Sequence, residues 1–574
     1  MITYDFTPGG NIAPEDIYTK ERGYGFLTEQ TMEQYPHLML PELNGGFLPV
    51  PWYRLLKPVT IEQTSCGCMI RPETPTDGRR QFPLRFKCHV DAEGSYRVRV
   101  TLYSDEKISD IRIFTGRRCL GAWRETLLPG EEYTCELYTE VCGIIPRGQE
   151  KVYHDLGIEV SVTADKPLLS KITIEPVNCP VLYIAGDSTV TDQSAEYPYA
   201  PETSYAGWGQ MLPSLLCGAV SVSNHSHSGL TTESFRQEGH AAILFEHCKP
   251  GDYVFFQFGH NDQKLQHLKA GEGYLANLER YITECRKLGV HPVLVTPVAR
   301  NTWRGSDGAY NDLLQEYADA CLEAGSRLSV PVLDLHRLSM EFIVRLQREN
   351  AKRYFYPSDY THHNDFGARK MAEMICAEIR RCCTEGAYRL LASLINDSAK
   401  SWPEPSFVEP LPRPEGFVTD NETPEWEEPD RPSEPLLRAE ALDMVIRRAG
   451  FFITNVYNDL FTDIIGHEWY AGAVECGLQN GIVTGEVCEN GLFRPLETVN
   501  LLDFVVFLMR AYGSRRTLPE AQQCPYDNCV SSSLRPLLSA ACQLGVLSAD
   551  GTDELDMPIT RRQGSNLCRN LKIM

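Results

Sequence analysis

The chain has no apolar run approaching the roughly 20 residues that cross a bilayer, which excludes a transmembrane helix. It is short of positive charge: Lys and Arg number 55 against 77 Asp and Glu, a formal net charge of −22 over 574 residues. A surface of that sign repels phosphate backbones and anionic headgroups, so neither nucleic acid nor an anionic membrane is expected as a partner. The opening Met1-Ile2-Thr3-Tyr4-Asp5-Phe6 lacks a basic stretch followed by an apolar one, so no leader is read and a cytoplasmic location is expected. A secreted or cell-surface protein whose leader had been removed would read the same way. Cysteine is plentiful at 20, but ligand-spaced pairs of it are lacking. Cys66-x-Cys68 and Cys524-x₄-Cys529 have no convincing partner pair, so neither metal nor cofactor is expected. Without a leader, and with Cys382 beside Cys383, the thiols read as reduced rather than as a disulfide framework.

What is present begins with length, which is too great for one core and predicts two to four domains. The chemistry sits in four separated stretches: Gly186-Asp187-Ser188-Thr189-Val190, Asn224 to Gly229, Gly259-His260-Asn261-Asp262, and Asp359-Tyr360-Thr361-His362. The first follows Val181-Leu182-Tyr183-Ile184-Ala185, an apolar run with β-branched residues between Pro180 and Gly186, the pattern of a buried parallel strand. Ser188 then stands just past a strand's carboxyl end, where open α/β sheets place reactive groups. Alone, Gly-Asp-Ser would mean little, because a hydroxyl in a turn more often caps the next helix. The other stretches change that reading. A serine hydroxyl needs a base to become a nucleophile, and the base needs a partner that fixes its tautomer. Asp359 and His362, three residues apart, can provide both, with His363 a competitor for the role of base. Asn261 follows the run Tyr253-Val254-Phe255-Phe256-Gln257-Phe258 and emerges at a second strand end, where its amide can donate to an oxyanion. Gly229 is expected to bring its N–H close to a substrate because no side chain obstructs it. With the Ser188 N–H, these make three oxyanion donors.

The order Gly-Asp-Ser, Gly, Gly-x-Asn-Asp, Asp-x-x-His resembles that of the SGNH (GDSL) hydrolase superfamily. More narrowly, Gly186 to Val190, Asn224 with Gly229, Ser234-Phe235-Arg236-Gln237-Glu238-Gly239, Phe256 to Asp262 and Asp359 to Asn364 are similar to bacterial rhamnogalacturonan acetylesterases of carbohydrate esterase family 12, over about residues 180–390. The resemblance implies a flavodoxin-like sheet, hydrolysis of acetyl esters on a pectic or related polysaccharide, and no metal. It implies Ser188 as nucleophile, His362 as base, Asp359 as its orienter, and Ser188, Gly229 and Asn261 as the oxyanion hole. One departure stands out: His227-Ser228-Gly229-Leu230-Thr231 replaces the small residue and frequent arginine expected around the glycine, so the substrate side of the pocket is expected to differ. Asp187, Asn224, His260, Trp208 and Arg300 are the candidates for substrate contact, the aromatic ring as a face for a sugar.

Strand-like and helix-like runs alternate through residues 179–395, with strands expected at 291–296 and 331–335 and helices at 271–288, 309–325 and 365–383, a βαβ pattern. Residues 1–178 instead carry short alternating runs, including 84–90 and 96–102, which read as a hairpin across Asp91 to Gly94 within a β-sandwich. This layout, with Gly23-Tyr24-Gly25-Phe26, is similar to a galactose-binding-like sandwich. Residues 396–435 read as a Pro- and acid-rich linker, with nine prolines from Pro403 to Pro435. Residues 436–574 repeat a helix-opening motif at Leu437-Arg438-Ala439-Glu440, Val499-Asn500-Leu501-Leu502-Asp503 and Ile559-Thr560-Arg561-Arg562-Gln563, and resemble degenerate S-layer homology repeats. The expected fold class is multidomain: an α/β flavodoxin-like SGNH hydrolase core, an N-terminal β-sandwich and a C-terminal α-helical repeat domain.

The expected activity is removal of O-acetyl groups from a plant polysaccharide or oligosaccharide, rhamnogalacturonan or pectin first, through an acetyl-Ser188 intermediate. Xylan, mannan and other acetylated sugars are the alternative substrates. A lipase or thioesterase is opposed by the lack of an amphipathic lid, and a non-catalytic polysaccharide-binding protein by the presence of all five catalytic positions. The end domains are candidates for homo-oligomer contacts, while cell-wall binding is disfavoured by the departures within the repeats.

Overall fold

Val181–Gly186 is buried at all six positions and Tyr253–Gln257 at all five, as apolar strands are when both faces of a parallel sheet are covered. The computed structural model describes residues 1–49, 59–72, 80–146, 149–303, 309–357, 359–396, 404–406, 431–451, 453, 461, 463–464, 469–484 and 492–571. In it these two strands are neighbours in a parallel set ordered Ser221–Asn224, Val181–Gly186, Tyr253–Gln257, His291–Val295 and Val332–Leu333. Numbered along this set the order is 2-1-3-4-5, the flavodoxin-like arrangement, whose winding reverses between the first and third strands and opens a crevice there. On one face, Leu278 and Ile282 of the helix Leu275–Lys287 and Tyr317 and Cys321 of Gln315–Leu328 share a core with Val181, Tyr183 and Ala185.

Two compact units make up the chain: Met1–Asn301 with Asp312–Phe417, and Thr302–Asn311 with Val418–Met574. In the first unit the sheet continues past the parallel set. Thr139 pairs in parallel with Val222, and Glu132–Val141, Gly94–Tyr103, Lys171–Pro176 and Ile2–Asp5 follow in antiparallel order, giving nine strands. The N-terminal strands thus cover an edge that would otherwise present unpaired backbone groups. A second antiparallel layer runs Tyr24–Phe26, Leu84–His89, Gly157–Thr163, Ile108–Thr115, Cys119–Leu127. Phe86 of this layer meets Tyr4 of the nine-stranded sheet with ring centroids 5.0 Å apart.

Two sequence expectations change. The hairpin over 84–90 and 96–102 does not form: Leu84–His89 pairs with Tyr24–Phe26 and Gly157–Thr163, whereas Gly94–Tyr103 pairs with Glu132–Val141 and Lys171–Pro176. The intervening turn carries the chain from one layer to the other, because two strands with apolar faces bury more surface across the layers than side by side. The helix expected over 309–325 begins at Gln315 and runs to Leu328. Asp312 accepts from the Leu314 N–H and lies 2.9 Å from His336 Nε2, bonds that hold the preceding residues in a turn.

In the second unit, three short segments close a ring: Leu436 N–H donates to Ile559 O, Ile559 N–H to Val499 O, and Val499 N–H to Leu436 O, at 2.8–3.1 Å. Each leads into a helix, Arg438–Arg448, Leu501–Arg515 and Arg561–Asn570, which are the three openings of the repeated motif. Glu440 accepts from Leu437 N–H, Asn500 from Asp503 N–H and Thr560 from Gln563 N–H, so every opening is capped. Arg438 reaches Asp503 and Arg561 reaches Glu440. The third equivalent positions are Leu501 and Gln563, so the arginine and the acid disappear together. Most of the expected linker lies outside the described residues.

Candidate active site

The crevice between the first and third parallel strands receives both motif loops. Ser188 follows Val181–Gly186, and Asn261 follows Tyr253–Gln257. The loop bearing Ser188 is tied from beneath. Asp187 Oδ1 accepts from Thr189 N–H at 3.0 Å and Oγ1 at 2.8 Å, and Asp187 Oδ2 lies 3.1 Å from His260 Nδ1. Gln257 donates to Thr189 Oγ1 and accepts from Trp208 Nε1, both at 2.7 Å. Gln193 Nε2 donates to Ser188 O at 2.8 Å. These bonds hold the serine backbone fixed relative to the sheet.

His362 Nε2 lies 2.8 Å from Ser188 Oγ, and His362 Nδ1 lies 2.8 Å from Asp359 Oδ2. Asp359 Oδ1 accepts from the Thr361 and His362 N–H groups at 2.7 and 3.0 Å. Burial raises the Asp359 carboxyl, but His362 and the two backbone donors outweigh it and hold the group below the usual carboxylate range. An ionised Asp359 keeps the imidazole proton on Nδ1, leaving Nε2 to accept from the serine hydroxyl. The imidazole is braced by Tyr205, edge-on at 5.8 Å, which itself stacks on Tyr356 at 3.7 Å. Tyr356 N–H donates to His362 O at 3.0 Å. His363, the competing base, is buried against Phe355 with centroids 4.6 Å apart, and burial pushes its pKa down to about 3.

The two loops that carry Gly229 and Asn261 are bonded to each other. Asn261 Nδ2 donates to Leu230 O at 3.0 Å, and buried Asp262 accepts from Thr232 N–H and Oγ1 and from Gly259 N–H. Burial drives the Asp262 carboxyl up to about 7, against the pull of those donors. Gly229 has φ +91°, and an added Cβ would meet nothing within 4 Å. The left-handed backbone by itself favours glycine there, a reason additional to the room a missing side chain leaves for a substrate. Among the described residues, the N–H groups of Ser188 and Gly229 donate to no protein acceptor. Three donors of this kind can surround one developing oxyanion, and Asn261→Ala is expected to lower kcat about 10²–10³-fold with KM little changed, read from initial rates on 4-nitrophenyl acetate.

Of the five residues expected to touch substrate, four are buried within the scaffold and Asn224 is part-buried. Trp208, Asp187, His260 and Arg300 are each no more than 2% exposed. Trp208 therefore has no open ring face for a sugar. His260 lies between Asp187 and Val298 O, and Arg300 donates to His260 O. Asn224 donates to Val190 O and Asp192 Oδ1 and accepts from Ser226 N–H. Buried polar groups are retained where they satisfy neighbouring polar groups, as Trp208, Asp187, His260 and Arg300 do. Sequence reasoning passed over Tyr356, Lys264 and Arg118; only Lys264 carries a local signal, its spacing of three from Asn261 in a tight turn. Among the described residues no disulfide is formed, and no group of three His, Cys, Asp or Glu side chains is placed to hold a metal. Among the same residues, no helix is long and apolar enough to cross a membrane.

The GDSL-like Lipase/Acylhydrolase family matches residues 184–370. The chain is 35% identical over 211 residues to rhamnogalacturonan acetylesterase RhgT of Bacillus subtilis, covering 34% of this chain and 88% of that one. It is 31% identical over 207 residues to the probable rhamnogalacturonan acetylesterase YesY of the same organism, covering 35% and 92%. A crystal structure of the Bacillus subtilis protein YxiM aligns at 22% identity and a TM-score of 0.34, covering 66% of this chain and 98% of that one. The family match and the two acetylesterase relatives define a carboxylic ester hydrolase. The chain belongs to the GDSL (SGNH) hydrolase family and is homologous to the rhamnogalacturonan acetylesterases.

Proposed function

We propose that the protein removes O-acetyl groups from an acetylated plant polysaccharide or its oligosaccharides, with rhamnogalacturonan first among them. The chain of contacts from Asp359 through His362 to Ser188 Oγ, both steps at 2.8 Å, carries the chemistry of this reading. The names of the relatives RhgT and YesY support the substrate. Ser188 Oγ attacks the acetyl carbonyl carbon as His362 Nε2 takes its proton. The carbonyl oxygen becomes an oxyanion held by the Ser188 and Gly229 N–H groups and the Asn261 amide. Collapse breaks the ester C–O bond, and His362 returns the proton to the departing sugar oxygen, leaving acetyl-Ser188. Water then attacks with His362 as base, releasing acetate and restoring the serine.

The test is acetate release from acetylated rhamnogalacturonan, xylan and mannan oligosaccharides, beside 4-nitrophenyl esters of two to twelve acyl carbons. We expect the highest kcat/KM among the sugars on rhamnogalacturonan, and rates on the nitrophenyl series that fall beyond short acyl chains. A preference for xylan or mannan would replace the substrate and keep the chemistry. A rise with chain length would move the protein to the lipases, and no release from any ester would overturn the catalytic reading.

A further inference from the structure

Asn261 sits between two polar neighbours of opposite kind. Lys264, in the short turn Asp262–Lys264 that follows it, donates from Nζ to Asn261 Oδ1 at 2.9 Å. On the other side Asn261 Nδ2 donates to Leu230 O at 3.0 Å. An ammonium has no lone pair to offer and a backbone carbonyl has no hydrogen, so the two neighbours agree on one orientation of the amide. A flipped Asn261 would set its NH₂ against the ammonium and its oxygen against the carbonyl. In the orientation observed, one Nδ2 hydrogen is used by Leu230 and the second remains for a reacting oxygen. The cation on the carbonyl end also polarises the amide and makes its remaining N–H a stronger donor, as charge-assisted and cooperative hydrogen bonds are.

We propose that Lys264 is a positioning residue for ester hydrolysis, whose protonated amine fixes the Asn261 amide and strengthens it as an oxyanion donor. This rests on the reading of Asn261 as that donor. Lys264 itself is placed one bond behind Asn261 and acts through it. The charged groups that face Lys264 are Arg300, from the segment after the strand His291–Val295, and Asp187, from the nucleophile loop. Burial first, and Arg300 second, push the Lys264 pKa down to about 8, while Asp187 pulls it up. The amine is therefore charged below about pH 8 and neutral above it. A neutral amine can accept as well as donate, so the preference for one amide orientation weakens as pH rises through that value.

The test measures kcat and KM on 4-nitrophenyl acetate from pH 6 to 10, corrected for spontaneous hydrolysis, for the native chain, Lys264→Met, Lys264→Arg, Asn261→Ala and the Lys264→Met/Asn261→Ala pair. We expect Lys264→Met to lower kcat about 10–30-fold at pH 7 with KM within about twofold, since it removes transition-state stabilisation and no ground-state contact. The native kcat should fall along an alkaline limb centred near pH 8. That limb should vanish in Lys264→Met and move beyond pH 10 in Lys264→Arg, which restores most of kcat. In the Asn261→Ala background, Lys264→Met should change little, because the two act as one unit. Lys264→Met at native kcat, a loss additive with Asn261→Ala, or failure of Lys264→Arg to recover kcat would each overturn the proposal. Full activity in Asn261→Ala alone would overturn the oxyanion reading on which it rests, a different failure.

Discussion

Ser188→Ala should lower kcat for acetyl-ester hydrolysis by at least about 10⁴-fold and leave the thermal unfolding midpoint unchanged within a degree or two. The substitution removes the 2.8 Å hydrogen bond between Ser188 Oγ and His362 Nε2, while the loop stays tied through Asp187, Thr189 and Gln193. Deleting one oxygen at a position 7% exposed leaves a hole too small to cost much stability. His362→Ala should lose a similar factor, and the Ser188→Ala/His362→Ala pair should be no worse than either single variant, since nucleophile and base act only together. Acetate release from 4-nitrophenyl acetate at micromolar enzyme resolves the residual rates. A Ser188→Ala chain within tenfold of native kcat, folded and free of contaminating esterase, would show that some other group attacks the ester.

The motif loops were legible from the sequence because their information is local. A buried apolar run ending in glycine marks a strand end at Gly186, and an aspartate three residues before a histidine can cap and orient it, as Asp359 does with His362. The strand order was open only to the resemblance, since periodicity marks strands and says nothing of their neighbours. The same limit explains the missing hairpin: the run at 84–90 has an apolar face whether its partner lies beside it or across the layer. Trp208 shows a third limit. An aromatic beside a catalytic loop suits a sugar platform and a packed scaffold equally well in sequence, and it is the burial of the ring and its bond to Gln257 Oε1 that distinguish them. The N-terminal strands, read as a separate sandwich, add four strands to the hydrolase sheet through Thr139 and Val222. Nothing local in either segment announces a pairing between residues so far apart in the chain.

The second large effect concerns a group with no local signal at all. Arg118 lies at the turn between the strands Ile108–Thr115 and Cys119–Leu127, and its guanidinium is fully buried. It donates to Asp365 Oδ1 at 2.5 Å, to Tyr205 O at 3.1 Å and to Gln193 O at 3.2 Å. Asp365 opens the helix Asp365–Cys382 three residues after His362, Tyr205 braces that imidazole, and Gln193 holds Ser188 O. One side chain from the N-terminal layers thus ties together the segments that carry base and nucleophile. Arg118→Met should cost about 3–5 kcal/mol, because it takes the ion-pair partner from a buried carboxylate and leaves it the hydrogen bond from Tyr199 and the attraction of Arg112. The same change should lower kcat by loosening the approach of His362 to Ser188. Burial raises the Asp365 carboxyl, with Arg118 pulling it down, so losing Arg118 lifts that pKa further above its unfolded value. A raised carboxyl pKa contributes most below the unfolded value and progressively less as pH rises toward the folded one. The deficit should therefore be smaller at pH 5 than at pH 7. Arg118→Met/Asp365→Leu should recover most of the stability by removing the stranded charge, without recovering all of kcat. Denaturant unfolding at both pH values, with acetate release alongside, reads all of these. A single-variant loss below about 1 kcal/mol, or one that grows toward acid, would mean that Arg118 is not what holds these segments together.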